Sequence, residues 1–260
     1  MATPRHCSRS STQRSKVIER LPADDSLPIL RYFDCRSRAQ ALRFALADLG
    51  IDSRDERIPL DLAAFRAQAR HSELGGPFAS LPLLVWGELP IAQTLAIASF
   101  LERQRPRSAE PSPEESARLE MVVCAAHLDM QLPHSQLLWL PADHPNERLR
   151  RATGRLRDLL LEKTHQLEAL LQGSEPYFGG AEPAMADYFV FESMTRASAV
   201  LGSAFTARLE RAPRVQALVS AMHARPAIAA LWADGSVPYL VSASPSEPVL
   251  RERILSEAAP

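Results

Sequence analysis

The stretch from Arg105 to Pro113 carries Pro106, Pro111 and Pro113 among serine and charged residues, and the chain changes character across it. Prolines this dense cannot sit inside one helix or a central strand, so residues 105–113 read as a linker between two differently built halves. Before it, short apolar runs alternate with helical periodicity. After it, only helical periodicity remains.

The first half starts at Pro28, where Ile29 to Phe33 forms an apolar and aromatic run of the kind a buried strand shows. Leu42, Leu46 and Leu49 follow at helical spacing, with Ser37 as the expected cap and Gly50 as the terminator. Residues 51–59 read as a second strand and 61–70 as a short helix that stops before Gly75-Gly76-Pro77. Leu81-Pro82-Leu83-Leu84-Val85-Trp86 is a strand opened by a proline, turned at Gly87-Glu88 and returned through Leu89 to Ile91. A helix over 93–103 completes a small α/β domain with a mixed sheet, residues 28–104. In the second half, 114–140, 146–171, 184–201, 213–225 and 226–232 carry helical periodicity, interrupted at Pro133 and between Pro141 and Pro145. An all-helical domain is expected over 114–240. Residues 241–260 hold Pro245 and Pro248 and few large apolar side chains, and read as a C-terminal tail.

The first eighteen residues carry Arg5, Arg9, Arg14 and Lys16, several serines and threonines and no acid, and are poor in the apolar residues an amphipathic face needs. A disordered extension over residues 1–27 is the expectation, with organelle targeting as the alternative. Thirty basic against thirty-one acidic side chains leave a net charge of −1, which supplies no field for nucleic acid or an anionic membrane. The most apolar region, Leu81 to Phe100, is broken by Gly87, Glu88 and Pro90, so no membrane-spanning helix is expected. Cys7, Cys35 and Cys124 have no metal-ligand spacing and are too few for a disulfide framework. A cytoplasmic protein without a metal site fits these features.

Three places carry candidate chemistry. A cis bond at Leu81-Pro82 would turn the backbone of Leu81 outward to pair with an extended peptide. Gln93-Thr94 stands at a helix start, where unsatisfied N–H groups and the helix dipole favour a carboxylate. Tyr32 on the first strand is a core aromatic by default, but its hydroxyl needs a partner and can donate to a ligand in a cleft.

Taken together, Leu30 to Ala39, Gly76 to Leu84 and Ile91 to Ile97 closely resemble the N-terminal domain of tyrosine-type glutathione transferases, nearest to the sigma class and bacterial relatives. Pro183 to Glu192 is similar to the helix-capping segment of that family's helical second domain. The resemblance implies a thioredoxin-like domain followed by an all-α domain, assembled as a homodimer. It implies conjugation of glutathione to small hydrophobic electrophiles, with glutathione as co-substrate and no further cofactor. A carrier without turnover, a glutathione-dependent isomerase or a peroxidase are the alternatives.

By the same resemblance, Tyr32 donates to the glutathione sulfur and Arg38 supports the site's electrostatics, with Phe33 beside them. Ser80, Leu81 and Pro82 belong to the segment that pairs with the cysteinyl part of the tripeptide. Gln93 and Thr94 receive the γ-glutamyl carboxylate. Phe65 and Ala69 stand where relatives grip the glycine end with a tryptophan and a lysine; Gln68 or Arg70 is the substitute for that lysine. Asp129 is a further candidate, toward the glutathione amine. Ala184 replaces the usual Ser or Thr cap, while Asp187 is kept, and Ser99 replaces a common arginine. Cys35, just before a helix start, offers a rival thiol mechanism against the blander reading of a small buried cysteine. His127 and His134 read as helix-surface or packing residues.

Overall fold

The computed structural model describes residues 27–70, 73–106 and 110–258. The expected N-terminal extension lies outside these residues, apart from Leu27. Four strands form one sheet in the order β2-β1-β3-β4. Strand β1 is Ile29–Phe33, β2 Arg54–Ile58, β3 Leu83–Trp86 and β4 Leu89–Ala92. β2 runs parallel to β1, with Tyr32 opposite Arg57, whereas β3 is antiparallel to β1 and β4 antiparallel to β3.

Helix α1 (Gln40–Asp48) joins β1 to β2, and Gly50 ends it at φ +65°, where a glycine avoids a Cβ clash. Ser37 does not cap this helix as expected. It is buried at φ +30°, and Ala39 occupies the cap position. Helix α2 (Leu62–Ala69) is capped by Asp61, whose Oδ1 accepts from the Ala64 N–H at 2.8 Å. A kinked 3₁₀ segment, Glu73–Phe78, leads into β3, and α3 (Thr94–Gln104) follows β4.

The helical part begins with α4 (Pro113–Cys124), whose Ser112 cap and Glu115 satisfy each other's backbone N–H groups. Pro133 was expected to interrupt the next segment. Instead the chain widens into a π-turn stretch, Ala125–Gln131, and runs on as α5 (Leu132–Leu138). The wider turn accommodates the missing proline N–H without ending the helix. Helices α6 (Asn146–Leu170), α7 (Met185–Leu201), α8 (Ser203–Thr206), α9 (Pro213–His223) and α10 (Pro226–Ala233) follow.

The expected tail is a correction. Residues Glu247–Ala258 form helix α11, with Leu250 and Ile254 buried and the Arg251 guanidinium donating to the Ala199 carbonyl at the end of α7. The segment before it is tied down as well. Leu240 and Val241 accept from the backbone N–H groups of Arg36 and Ser37, and Glu247 accepts from the N–H groups of Val241 and Ser242. Backbone pairing fixes this stretch, although its side chains offered little apolar pattern.

Helix α7 runs through the middle of the molecule and packs on α1, α4, α9 and α11. Its contact with the sheet domain is partly apolar, with Phe44 and Phe191 rings 5.1 Å apart. It is also ionic. Arg36 and Glu192, both buried, form a two-point pair at 3.3 and 2.7 Å. Tyr188 donates to Asp48 at 2.6 Å, and Arg225 pairs with the same carboxylate.

Removing one partner of a buried pair strands the other charge, so Glu192→Gln should lower the stability measured by urea unfolding by about 3–5 kcal/mol. A loss below about 1 kcal/mol would show that this pair does not hold the seam.

Candidate functional site at one end of the sheet

The strand register gathers the candidate residues. Because β3 is antiparallel to β1 and β4 to β3, Arg31 faces Leu83 and Leu83 faces Ala92. The end of β1, the start of β3 and the end of β4 therefore lie side by side. Tyr32 leaves this corner on β1, Leu81-Pro82 enters it just before β3, and Gln93-Thr94 leaves it just after β4. β2 ends there too, beyond Tyr32 opposite Arg57, and feeds α2 with Phe65 and Arg70 at its far end.

The Leu81-Pro82 bond is cis. The β1–β3 ladder stops at Leu83, so the backbone of Leu81 lies beyond the paired register. The Ser80 N–H donates to Gly75 at 3.0 Å, where a Cβ on Gly75 would come within 2.7 Å of Ser80 N; this close approach needs glycine. Gln93 caps α3 at φ +75°, a conformation side chains rarely adopt, and Thr94 behind it is buried. The first N–H groups of an eleven-residue helix thus open onto the corner.

Tyr32 is 4% exposed. Its ring lies 6.0 Å from the Arg43 guanidinium and edge-on to Phe33, and its hydroxyl oxygen accepts from the Arg38 N–H at 3.4 Å. Burial, and after it the Cys35 thiol, push the hydroxyl above its ordinary pKa, while Ser37 and the Arg38 N–H and charge oppose them. The phenol therefore stays protonated at neutral pH. It is a hydrogen-bond donor, not a base. The Arg38 side chain is exposed and makes no hydrogen bond or ion pair among the described residues.

Other candidates fall differently. Phe65 is buried, edge-on to Phe33 with ring centres 5.3 Å apart, so both rings belong to the core. Arg70 is exposed at the end of α2. Asp129 pairs with Lys163 at 2.9 Å on the helical domain. Cys35 is fully buried, and burial pushes its thiol up to about 12 against the pull of Arg43 and Arg196. Such a thiol is not poised as a nucleophile.

Sequence reasoning missed a buried polar cluster beneath the loop that follows β1. His134 Nδ1 donates to the Met130 carbonyl at 2.7 Å, and His127 pairs with Gln131 at 3.0 Å. Arg196 Nη1 reaches the Ser37 carbonyl at 3.3 Å. The available signal was Glu192 and Arg196 four apart within the apolar run of α7, since charges inside such a run need buried partners. A cavity of about 810 Å³ lies elsewhere, lined by Arg36, Thr195, His223, Trp232, Tyr239 and their neighbours, and includes neither Tyr32 nor any residue of 114–140. Among the described residues no group of three His, Cys, Asp or Glu could hold a metal, and no helix is long and apolar enough to cross a membrane.

Comparison with known proteins gives one family. The model for the glutathione S-transferase N-terminal domain matches residues 28–103, and that for the C-terminal domain matches 129–234. A glutathione S-transferase of Tyrophagus putrescentiae is 28% identical over 208 residues, covering 75% of this chain and 91% of the relative. One of Plasmodium falciparum (isolate 3D7) is 35% identical over 77 residues, covering 29% and 36%. The Pi-class glutathione S-transferase of Onchocerca volvulus superposes with TM-score 0.67 at 21% identity, over 82% of this chain and 97% of that one. Rat hPGDS complexed with a quinoline superposes with TM-score 0.63 at 25% identity, over 80% and 96%.

In the folded protein Cys35 should stay unmodified by iodoacetamide at about pH 8 while partly exposed Cys124 reacts, as read by peptide mass spectrometry. Rapid alkylation of Cys35 would revive the thiol mechanism.

Proposed function

Because the chain belongs to the glutathione S-transferase family, we propose that it conjugates the glutathione thiolate to small electrophiles, with the Tyr32 hydroxyl stabilising the sulfur. The observation that carries this reading is the convergence of Tyr32, Leu81-Pro82 and Gln93-Thr94 at one sheet end, fixed by the Arg31–Leu83–Ala92 register.

In this reading the unpaired backbone of Leu81 holds the cysteinyl unit of the tripeptide as an added strand would. The N-terminus of α3, with Gln93 and Thr94, receives the γ-glutamyl carboxylate. The sulfur then lies before Tyr32. A protonated phenol donates its O–H to the thiolate, and the unpaired charge of Arg38 adds to the local field. The thiolate attacks the electrophile, forming the carbon–sulfur bond while the leaving group departs with its electron pair. Glutathione is the co-substrate, and no further cofactor enters. Free thiols at Cys35 and Cys124 fit a reducing compartment such as the cytosol, and the chemistry fits detoxification.

The packing of Phe65 into the core favours a second reading, a glutathione-binding carrier without turnover, since the glycine end loses the aromatic grip that relatives supply. Glutathione bound by calorimetry with no conjugation of a chlorodinitrobenzene would decide for the carrier. A two-fold homodimer is also proposed. Phe78 is 67% exposed on the turn before the Pro82 corner, with Met121 and Leu128 also exposed on the helical domain, and large apolar groups in such number call for a cover.

Two outcomes test this. Tyr32→Phe should raise the pKa of bound glutathione, read by thiolate absorbance, by about one to two units, leaving roughly 10- to 100-fold less thiolate at neutral pH. An unchanged titration would remove Tyr32 from the mechanism. Phe78→Asp should convert the dimer to a monomer by light scattering, and an unaltered mass would exclude this residue from the interface.

A further inference from the structure

The cavity of about 810 Å³ is bounded by the loop after β1, the second half of α7, α9, and the segment that leads from α10 into α11. That volume is the size of a small-molecule site. None of Tyr32, Leu81, Pro82, Gln93 or Thr94 lines it, so it is separate from the sheet-end corner.

Its lining combines buried aliphatic surface with aromatic rings that reach solvent. Met194 and Leu209 are buried, whereas Trp232 and Tyr239 are 36% and 73% exposed. Each of these two rings has a guanidinium over it. Arg36 Cζ lies 5.4 Å from the centre of the Trp232 ring, and Arg251 Cζ lies 4.5 Å from that of Tyr239.

Both arginines keep an unused donor. Arg36 gives Nε and Nη2 to Glu192 and Thr195, and Arg251 gives Nε and Nη1 to the Ala199 and Tyr239 carbonyls. Arg36 Nη1 and Arg251 Nη2 have no hydrogen-bond partner among the described residues, and neither nitrogen is fully buried. The carboxylates that pair with these cations, Glu192 and Glu247, do not line the cavity. Asp34, the one acid that does, is held by Arg57 at 3.1 Å. The Thr195 and Ser198 hydroxyls donate to helix carbonyls. What the lining leaves over is therefore mainly N–H donors, on cations and beside aromatic surface. The complementary ligand joins a flat apolar body to an anionic acceptor.

We propose that this cavity is a second binding site, for a small flat aromatic carboxylate whose rings lie along Trp232 and Tyr239 and whose anion meets Arg251 Nη2. The side chain of Arg251 is 14% exposed against 4% for Arg36, which makes Arg251 the outer of the two cations and the one an entering anion reaches first. Arg36 adds its charge from the inner wall. The site does not rest on the transferase reading, because no residue of the sheet-end corner takes part in it.

The test uses the full-length protein, biphenyl-4-carboxylate and the uncharged biphenyl-4-carboxamide, with binding measured by calorimetry. The acid should bind about tenfold tighter than the amide, Arg251→Met should bring the two close to parity, and Arg251→Lys should keep part of the preference. Ala199→Phe, which adds a ring to the cavity wall, should abolish binding of both. Circular dichroism and thermal melting report whether each variant is folded. If Arg251→Met loosens α11, the wild-type preference and the Ala199→Phe variant decide. Equal binding of acid and amide, a preference that survives in folded Arg251→Met, or binding undiminished by Ala199→Phe overturns the proposal. So does displacement of the acid by S-hexylglutathione, which would put the acid in the sheet-end corner. Failure of glutathione itself to bind, with the acid still bound and sensitive to Ala199→Phe, sinks the transferase reading and leaves this site standing.

Discussion

The buried pair between Arg36 and Glu192 is the constraint on which the rest of the structure depends. Arg36 sits in the irregular loop after β1, and Glu192 in the middle of α7, 156 residues later. Arg36 also donates to the Thr195 hydroxyl at 2.6 Å. A guanidinium and a carboxylate can both leave water only when their geometry is good and their remaining hydrogen bonds are met. The pair therefore admits one position of the loop against the helix.

That position is reinforced from two further sides. The loop lends its Arg36 and Ser37 N–H groups to Leu240 and Val241, and its Ser37 carbonyl to Arg196. None of these partners belongs to the sheet domain. A loop with no regular structure is thus held by backbone and ionic bonds from α7 and the C-terminal segment. Because the same loop carries Arg38, whose N–H meets the Tyr32 hydroxyl, bonds from the helical part hold the backbone that presents this N–H to the sheet-end corner. The two halves on either side of the linker are thus joined by buried ionic and backbone bonds as well as by the chain.

This division also explains what was legible in the sequence. The strands, the Gly50 stop, the Asp61–Arg70 helix and the Leu81-Pro82 hairpin are written in neighbouring residues, where period and turn chemistry act locally. The corner formed by Tyr32, Pro82 and Thr94 was legible because each residue flanks a strand end. The polar seam was not. Arg36, Arg196 and His134 find their partners far along the chain or on another turn, and no local pattern distinguishes a buried arginine from a solvated one. Helix α11 escaped for a related reason, since Leu250 and Ile254 are the only buried apolar side chains among its described ones and the buried Glu247, not an apolar stripe, anchors its start. Pro133 misled because a wider turn upstream absorbed it. Ser37 misled because its loop is positioned by tertiary bonds and not by the helix it precedes.

The same bonds bear on how Tyr32 would act on sulfur. Arg43 holds the end of β1 by donating to the Phe33 and Cys35 carbonyls at 3.2 and 2.8 Å while pairing with Asp55, and its guanidinium lies over the Tyr32 ring. The ring is thereby fixed before any ligand arrives, which is the condition for a donor to work without reorganising. Its oxygen already accepts from the Arg38 N–H, just ahead of the start of α1. A hydroxyl that accepts from a backbone N–H is polarised toward donating its own proton, and successive bonds of this kind strengthen one another in a site of low dielectric. Burial keeps the phenol from ionising, so in the proposed reaction negative charge would rest on the ligand's sulfur before it rested on Tyr32. The enclosure of the ring would therefore suit Tyr32, in that reaction, to the part of a donor and not of a base.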